Sequence, residues 1–429
     1  MSSRPGEMAA GELLLLVPTR SYRPEDFRAA ARRLGVPLVV GSDRCHRIEE
    51  TFGEEVGLLS LDYRRPEHAA EQIARAARRR PIRGVVPADE GTAVIAALAA
   101  ERLGLPHNPP RSARRTANKH AMRQALQAAG VPVPRFWLFD LAKGPEAPSR
   151  EVEYPCVLKP LLLSASRGVI RADDPGAFAE AWHRLGRILG EARAERRPRD
   201  ERAGRQVLVE RFVPGAEVAV EGLLRGGALE VLAIFDKPDP LEGPFFEETL
   251  YVTPSRHPAE LREEIVRISA AAAQGLGLEE GPVHAELRLP PGGPVVLEVA
   301  ARSIGGLCAR TLRFGAGLSL EEIVVAHAMG LPLSSLSRQP GAAGVMMLPI
   351  PGRGVLRGVA GVEAARAVPG VEDVVITVPE GREVVPLPEG DAYLGFLFAR
   401  GERPEKVEAA LRAGHARLRF DIRAPLPTV

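Results

Sequence analysis

Two glutamates placed to face each other across a tight hairpin are the residues of this sequence best suited to chemistry. Pro282-Val-His-Ala-Glu-Leu-Arg-Leu289, the break Pro290-Pro-Gly-Gly-Pro294 and Val295-Val-Leu-Glu-Val-Ala-Ala-Arg302 alternate apolar and polar residues around a turn, the mark of a β-hairpin. A turn centred on Gly292 pairs Glu286 with Glu298 and sets His284, Arg288, Ala300 and Arg302 on the same face. Like charges directly opposite destabilise a ladder unless solvent screens them or a cation sits between them. Mg²⁺, a hard ion held by carboxylates and substrate phosphates, suits that arrangement. An exposed hairpin with unrelated glutamates is the bland alternative. Arg302 at the strand end, followed by Gly305-Gly306, favours an anionic ligand.

Lysine is scarce: Lys119, Lys143, Lys159, Lys237 and Lys406 are the only ones among 57 Lys+Arg. Lys159 closes the strand Pro155-Cys-Val-Leu-Lys159 and precedes the small-residue loop Leu163-Ser-Ala-Ser-Arg-Gly-Val169, with Ser164, Ser166 and Gly168. Small residues let backbone N–H groups approach phosphate oxygens, and an ammonium adds a point charge. A surface lysine at a turn would look the same. Val207-Leu-Val-Glu210 runs into Arg-Phe-Val-Pro-Gly-Ala-Glu217, a strand entering a hinge of exposed backbone. Such a hinge can hydrogen-bond an adenine edge, and a carboxylate seven residues on can accept ribose hydroxyls.

The elements that must position these groups follow from the hydrophobic pattern. Leu13–Val17, Leu38–Val40 and Val85–Pro87 read as short buried strands, alternating with helices at about 24–34, 73–79 and 91–102. That alternation predicts a parallel, Rossmann-like sheet over residues 1–108. Pro18-Thr-Arg20 follows the first strand in place of G-x-G-x-x-G, so no dinucleotide site is expected there, and no P-loop occurs. Glu90, just beyond the third strand, lies where α/β ligands bind and is a candidate for a substrate amino group, or else a helix N-terminal charge. Residues 109–333 mix strands and helices in an α+β pattern, with a helix over 117–129 stopped by Gly130. The charged stretch 191–205 reads as an exposed loop. The Pro/Gly-rich stretch 236–256 is either a closing loop or a surface connection. Residues 334–429 read as a small C-terminal α+β domain with strands at 345–350, 371–378, 392–399 and 418–422.

Composition excludes several classes. An apolar share of 45% and a charged share of 26% rule out a disordered chain. A net charge of +2 offers no field for nucleic acid. Leu13–Val17 is too short to span a membrane, and no signal peptide is expected. Cys45, Cys156 and Cys308 are odd in number and widely spaced, which suggests reduced thiols and a cytoplasmic protein. Cys308 is expected to pack.

The ordered set resembles the ATP-grasp superfamily over about residues 110–320. Lys119 in Asn118-Lys-His-Ala-Met-Arg123, the strand-ending Lys159-Pro160, the hinge Glu210 with Glu217, and the Glu286/Glu298/Arg302 group occur in that family's order. The resemblance implies that Lys119, Lys159, Ser164, Ser166 and Gly168 hold ATP phosphates. It places Glu210, Phe212, Val213 and Glu217 around adenine and ribose, and Mg²⁺ (Mn²⁺ as the alternative) on Glu286 and Glu298. Arg302 would stabilise an acyl phosphate, with Glu90, His284, Gly305 and Gly306 on the substrate side. Phe235-Asp-Lys-Pro-Asp-Pro-Leu-Glu-Gly-Pro-Phe-Phe-Glu-Glu-Thr249, Glu298–Gly306 and the run from Gly344-Val-Met-Met-Leu-Pro-Ile-Pro-Gly352 to Tyr393-Leu-Gly-Phe-Leu-Phe-Ala-Arg400 further resemble the L-amino-acid ligases, which join amino acids with ATP. The implied partners are amino-acid substrates, with a homodimer as a further expectation. Other ATP-grasp ligases, acting on a thiol or forming carbamoyl phosphate, and a silent nucleotide-binding regulator are the alternatives. Two departures stand out. Ala300 replaces the asparagine of Glu-x-Asn-x-Arg, leaving a second metal site in question. The phosphate loop has one glycine, so Arg167 is a candidate to contact phosphate in its place.

Overall fold

The computed structural model describes residues 11–18, 21–43, 57–195 and 201–424; Arg20, Cys45 and residues 196–200 of the charged stretch lie outside them. Strands β1 (Glu12–Leu16), β2 (Leu38–Ser42), β3 (Gly57–Ser60) and β4 (Ile82–Pro87) form the expected parallel sheet, in the order β3-β2-β1-β4. Leu13 to Leu16 are all fully buried because helices or the rest of the molecule cover both faces of a parallel sheet. Asp89 caps helix Glu90–Leu103 by accepting from the Glu90 N–H, and Gly104 stops the helix at φ +64°. Glu90 therefore sits in the first turn, just past the end of β4.

β5 (Phe136–Asp140), β6 (Cys156–Pro160), β7 (Ile170–Ala172) and β8 (Gln206–Arg211) form a second, antiparallel sheet in the order β5-β8-β6-β7. Helix Pro175–Glu195 covers it with Phe178, Trp182 and Leu185. This helix corrects the expected loop over 191–205. Its apolar stripe, spaced at three and four residues through Leu189, carries the helix on to Glu195 despite the charged tail.

The remaining strands are β9 (Ala216–Arg225), β10 (Ala228–Lys237), β11 (Leu250–Thr253), β12 (Gly281–Leu289), β13 (Val295–Ala300), β14 (Ala342–Leu348), β15 (Gly354–Ala360), β16 (Val371–Ile376), β17 (Glu383–Val384), β18 (Gly395–Gly401) and β19 (Arg419–Arg423). Eight of them make one sheet, β13-β12-β9-β10-β11-β14-β18-β16, so strands from both sides of residue 333 share one hydrogen-bonded ladder. β15, β17 and β19 form a separate small sheet. Helix Ala259–Leu276 packs one face of the large sheet with Ile265, Ile268, Ala272 and Leu276. Helix Leu320–Ala328 and the N-terminal sheet share a core with Ala219, Phe235 and Phe396 of the large sheet. Among the described residues no helix is long and apolar enough to cross a membrane.

The join between the N-terminal sheet and helix Leu320–Ala328 is tight at Gly84, where an added Cβ would stand 2.7 Å from the Ala328 carbonyl oxygen. Backbone on both sides leaves little room to yield. Gly84→Ala should therefore lower the urea unfolding midpoint by the equivalent of about 1–3 kcal/mol. An unchanged midpoint would show that the two elements separate freely.

Candidate active site

Three rows of residues run across the large sheet from β10 to β13. In the first, Lys237 of β10 pairs with Glu217 of β9, which pairs with Arg288 of β12. In the second, Phe235, Ala219, Glu286 and Glu298 stand side by side, and in the third Ala233, Glu221, His284 and Ala300 do so. The hairpin register thus pairs Glu286 with Glu298, as its turn predicts. The ladder then slips: Leu287 pairs with Val296 and Arg288 with Val295, leaving a bulge at Leu297. A uniform register had placed Val296 opposite Arg288. The bulge has a use, since the Leu297 carbonyl accepts from Arg123 and its side chain lines the cleft.

That cleft is open to solvent and lies between the sheet β5-β8-β6-β7 and the large sheet. It gathers Lys119, Lys159, Ser164, Ser166, Glu210, Phe212, Val213, Glu217, Glu286 and Glu298. One end is aromatic and aliphatic. Phe212 and Phe246 lie with ring centroids 6.4 Å apart at 29°, and Arg171 covers Phe212 at 4.2 Å. The other end is charged. Lys119, at the start of helix Lys119–Ala128 behind its Asn118 cap, donates to the Leu163 carbonyl at 3.0 Å and lies 3.5 Å from Glu298. Ala165 and Ser166 both adopt φ +55°, which bends the loop against the mouth of the cleft.

Cations hold both carboxylates expected at adenine and ribose. Glu210 is 1% exposed, with Arg123 at 2.5 Å and Lys159 at 2.6 Å. Burial alone would raise its pKa, but Arg123 and Lys159 outweigh that and bring it down to about 2. Glu217 lies 2.7 Å from Lys237 and 2.8 Å from Arg288. Lys237 also meets Glu248 at 2.5 Å and Glu286 at 3.2 Å. Burial and then Glu286 push the Glu248 carboxyl up to about 7. Against its own burial, Lys237, then His284, hold Glu286 well below the usual carboxylate range.

Seven of the sequence candidates stand outside the cleft lining. Gly168 has φ +75° and its N–H donates to the Pro388 carbonyl at 2.8 Å, away from the cleft. Arg167 is buried beside it and is likewise not in the lining. His284 lies behind Glu286, between Glu221 at 3.2 Å and Glu286 at 3.4 Å. Arg302 turns toward Glu90, 3.8 Å away, and donates to the Ser303 carbonyl at 2.9 Å. Burial, with Glu298 next, raises the Glu90 pKa, and one of its oxygens has no hydrogen-bond partner. Gly305 and Gly306 follow, and a Cβ on Gly306 would meet the Phe396 ring at 2.8 Å. Cys308 is buried against Met347, as packing requires.

Sequence reasoning assigned no role to Arg123, Glu221, Glu248 or Phe246. Arg123 had a signal, because it lies one helical turn from Lys119 on the same face. Glu221 had the even spacing from Glu217 along β9. Glu248 and Phe246 sit in a Pro/Gly loop where spacing carries no information.

The Glu210 pKa has a consequence for stability. A carboxyl lowered from 4.5 to about 2 on folding contributes stability that is fully present above pH 4.5 and lost as pH falls toward 2. The shift corresponds to roughly 3 kcal/mol. Glu210→Gln strands Arg123 and Lys159 as buried cations, so it should unfold at lower temperature at pH 7 and show a flatter acid limb below pH 4.5. Parallel melts of variant and wild type from pH 7 to 2 check both; coincident acid limbs would refute the assignment.

Residues 152–311 match the ATP-grasp domain family, residues 27–107 its N-terminal domain and residues 346–423 the L-amino acid ligase C-terminal domain 2. Carnosine synthase 1 of Gallus gallus is 30% identical over 378 residues, covering 83% of this chain and 40% of that protein. The alanine–anticapsin ligase of Bacillus subtilis strain 168 is 27% identical over 278 residues, covering 62% and 58%. The chain thus spans about half the length of these relatives. The crystal structure of an L-amino acid ligase from Bacillus licheniformis superposes with a TM-score of 0.77 at 26% identity, covering 96% of this chain and 99% of that one. The chain is thus built from an ATP-grasp domain with its N-terminal domain and an L-amino acid ligase C-terminal domain, and it shares its fold with an L-amino acid ligase along nearly its whole length.

Proposed function

We propose that this protein is an ATP-dependent carboxylate–amine ligase that joins L-amino acids through an acyl phosphate, releasing ADP and phosphate. One observation carries the proposal: a single cleft joins an aromatic slot, two lysines and a directly opposed pair of carboxylates. The apolar end at Phe212 and Phe246 takes the base, with the hinge backbone at Phe212 and Val213 along its edge. Glu217 stands at the ribose side, and Lys119 and Lys159 meet the phosphates beside the N–H groups of Ser164 and Ser166.

The opposed pair suits Mg²⁺, with Mn²⁺ as the alternative. Glu286 and Glu298 face each other, whereas the oxygens of Glu217, Glu248 and Glu286, within 4.8 Å of one another, already surround the Lys237 ammonium. Held by the opposed pair, the ion would neutralise charge spread over the transferring phosphoryl oxygens. The chain's own groups do the rest. Lys119 and Lys159 fix the triphosphate so that the substrate carboxylate attacks the γ-phosphorus and the bond to the ADP oxygen breaks. Arg302 neutralises the acyl phosphate, an amine attacks its carbonyl, and phosphate leaves. Glu90 receives the substrate ammonium group, with His284, Gly305 and Gly306 bounding the same side. The proposed division at 1–108, 109–333 and 334–429 puts Glu90 in the first segment and the nucleotide-side groups, the carboxylate pair and Arg302 in the second. Free amino acids as substrates accord with a cytoplasmic enzyme, and sedimentation would decide between monomer and the proposed homodimer.

Hydroxylamine with ATP, Mg²⁺ and a donor amino acid should give a hydroxamate without any acceptor amine. Screening donors with ADP release and product mass identifies the pair. Glu298→Gln should lower trapping by about 10²–10³-fold while nucleotide affinity changes little. Wild-type hydroxamate formation by Glu298→Gln would overturn the metal assignment, and a dipeptide made with AMP release would overturn the mechanism.

A further inference from the structure

Arg23 is 2% exposed and stands at the start of helix Pro24–Arg33, remote in sequence from every group in the cleft. Its guanidinium nonetheless reaches both strand ends that bracket the substrate side. One nitrogen donates to the Ala88 carbonyl at 3.5 Å and the Ser303 carbonyl at 3.3 Å. The other donates to the Ser303 hydroxyl at 2.7 Å and to Glu321 at 3.3 Å. Phe27 lies under the guanidinium at 4.9 Å. Ala88 is two residues before Glu90, and Ser303 immediately follows Arg302. The Ser303 carbonyl is also the acceptor of Arg302 itself, at 2.9 Å. From the next residue, the Ile304 N–H donates to both oxygens of Glu221, at 3.1 and 3.0 Å.

The loop bearing Arg302 is therefore gripped from two sides. Glu221 holds it to the large sheet, and Arg23 holds it to the N-terminal sheet. The Glu90–Arg302 pair spans the same two bodies, at 3.8 Å without a direct hydrogen bond, so it cannot set its own separation firmly. A buried guanidinium with several carbonyl and hydroxyl acceptors can, because its planar fork fixes direction as well as distance.

We propose that Arg23 is a positioning residue that sets the distance between Glu90 and Arg302, and so the productive placement of the substrate carboxylate. The inference rests on the assignment of Arg302 and Glu90 to the substrate side. Arg23 touches neither nucleotide nor substrate in it, so its removal should act on the donor step and spare ATP binding.

The test uses the full chain with a donor found by hydroxamate trapping. Arg23→Gln should lower kcat/KM for the donor by about tenfold to a hundredfold, since small misplacements near reacting groups cost that much. Its ATP affinity by calorimetry should stay within about twofold of wild type. In an Arg302→Gln background the same substitution should add less than about threefold, because its effect passes through Arg302. Ser303→Ala removes one Arg23 contact without burying a lone charge, and should lower donor kcat/KM in the same direction with the melting temperature nearly kept. An Arg23→Gln loss that is undiminished in the Arg302→Gln background overturns the positioning role, as does an equal fall in ATP affinity. If Arg23→Gln does not fold, an unchanged kcat/KM in Ser303→Ala overturns it instead. Wild-type turnover by Arg302→Gln would sink the substrate-side assignment, a different failure, and the Arg23 proposal with it.

Discussion

Carboxylate repulsion on one sheet face is the constraint that the rest of the site answers. Glu217, Glu286 and Glu298 project from adjacent strands, and Glu248 joins them from the loop before β11. Left in a low-dielectric cleft, such a group would take up protons or push the strands apart. Cations from three elements answer them instead: Lys237 of β10 meets Glu217, Glu248 and Glu286, Arg288 of β12 meets Glu217, and Lys119 of the helix after residue 118 meets Glu298. Burial, with Glu286 next, raises the Glu248 pKa to about 7. The charge pattern of the cleft is thus a product of sheet register. A one-residue slip of β12 would carry Glu286 and Arg288 to the opposite face together.

A second buried knot anchors the nucleotide side. Glu210 ends the apolar run of β8, and Arg123 and Lys159 converge on it from a helix and from β6. Lys159 is oriented by this contact, so the group proposed to meet phosphate is held by a carboxylate that itself lies beneath the cleft surface. Arg123 also ties Glu210 to the bulge at Leu297, which connects the smaller antiparallel sheet to the hairpin of the larger one. The two walls of the cleft are therefore joined by a charged contact rather than by apolar packing alone. Such a contact fixes geometry at a cost in desolvation.

The hairpin, the alternating N-terminal strands and the lysine positions were legible because local patterns encode them. Glu286 opposite Glu298 needs only a turn and a period of two. Helix Pro175–Glu195 was misread where its tail becomes charged, since propensity there is overruled by the stripe packed behind it. The small α+β unit expected at the C-terminus also lends β14, β16 and β18 to the central sheet; strand order is a long-range fact that no local pattern carries. Side-chain direction was the least readable property. Glu210 and Glu217 were identified as important residues, yet the cations that engage them come from 20 to 87 residues away in the chain.

Ala300 shows how such distant partners reshape a familiar pattern. It occupies the third row of the grid, directly opposite His284, where the related motif carries an amide. A methyl group there gives no oxygen to a cation, and it leaves His284 free to lie between Glu221 and Glu286. Burial lowers the imidazole's proton affinity, but the two carboxylates outweigh it and raise the pKa. The third row therefore sets an imidazole between two carboxylates, and a methyl group where the related motif carries an amide. The oxygens that converge with Glu286 come from the opposite direction, from Glu217 and from Glu248 in the loop. Lys237 lies among these three carboxylates, at 2.7, 2.5 and 3.2 Å, so the cation on the loop side of the cleft is the chain's own ammonium.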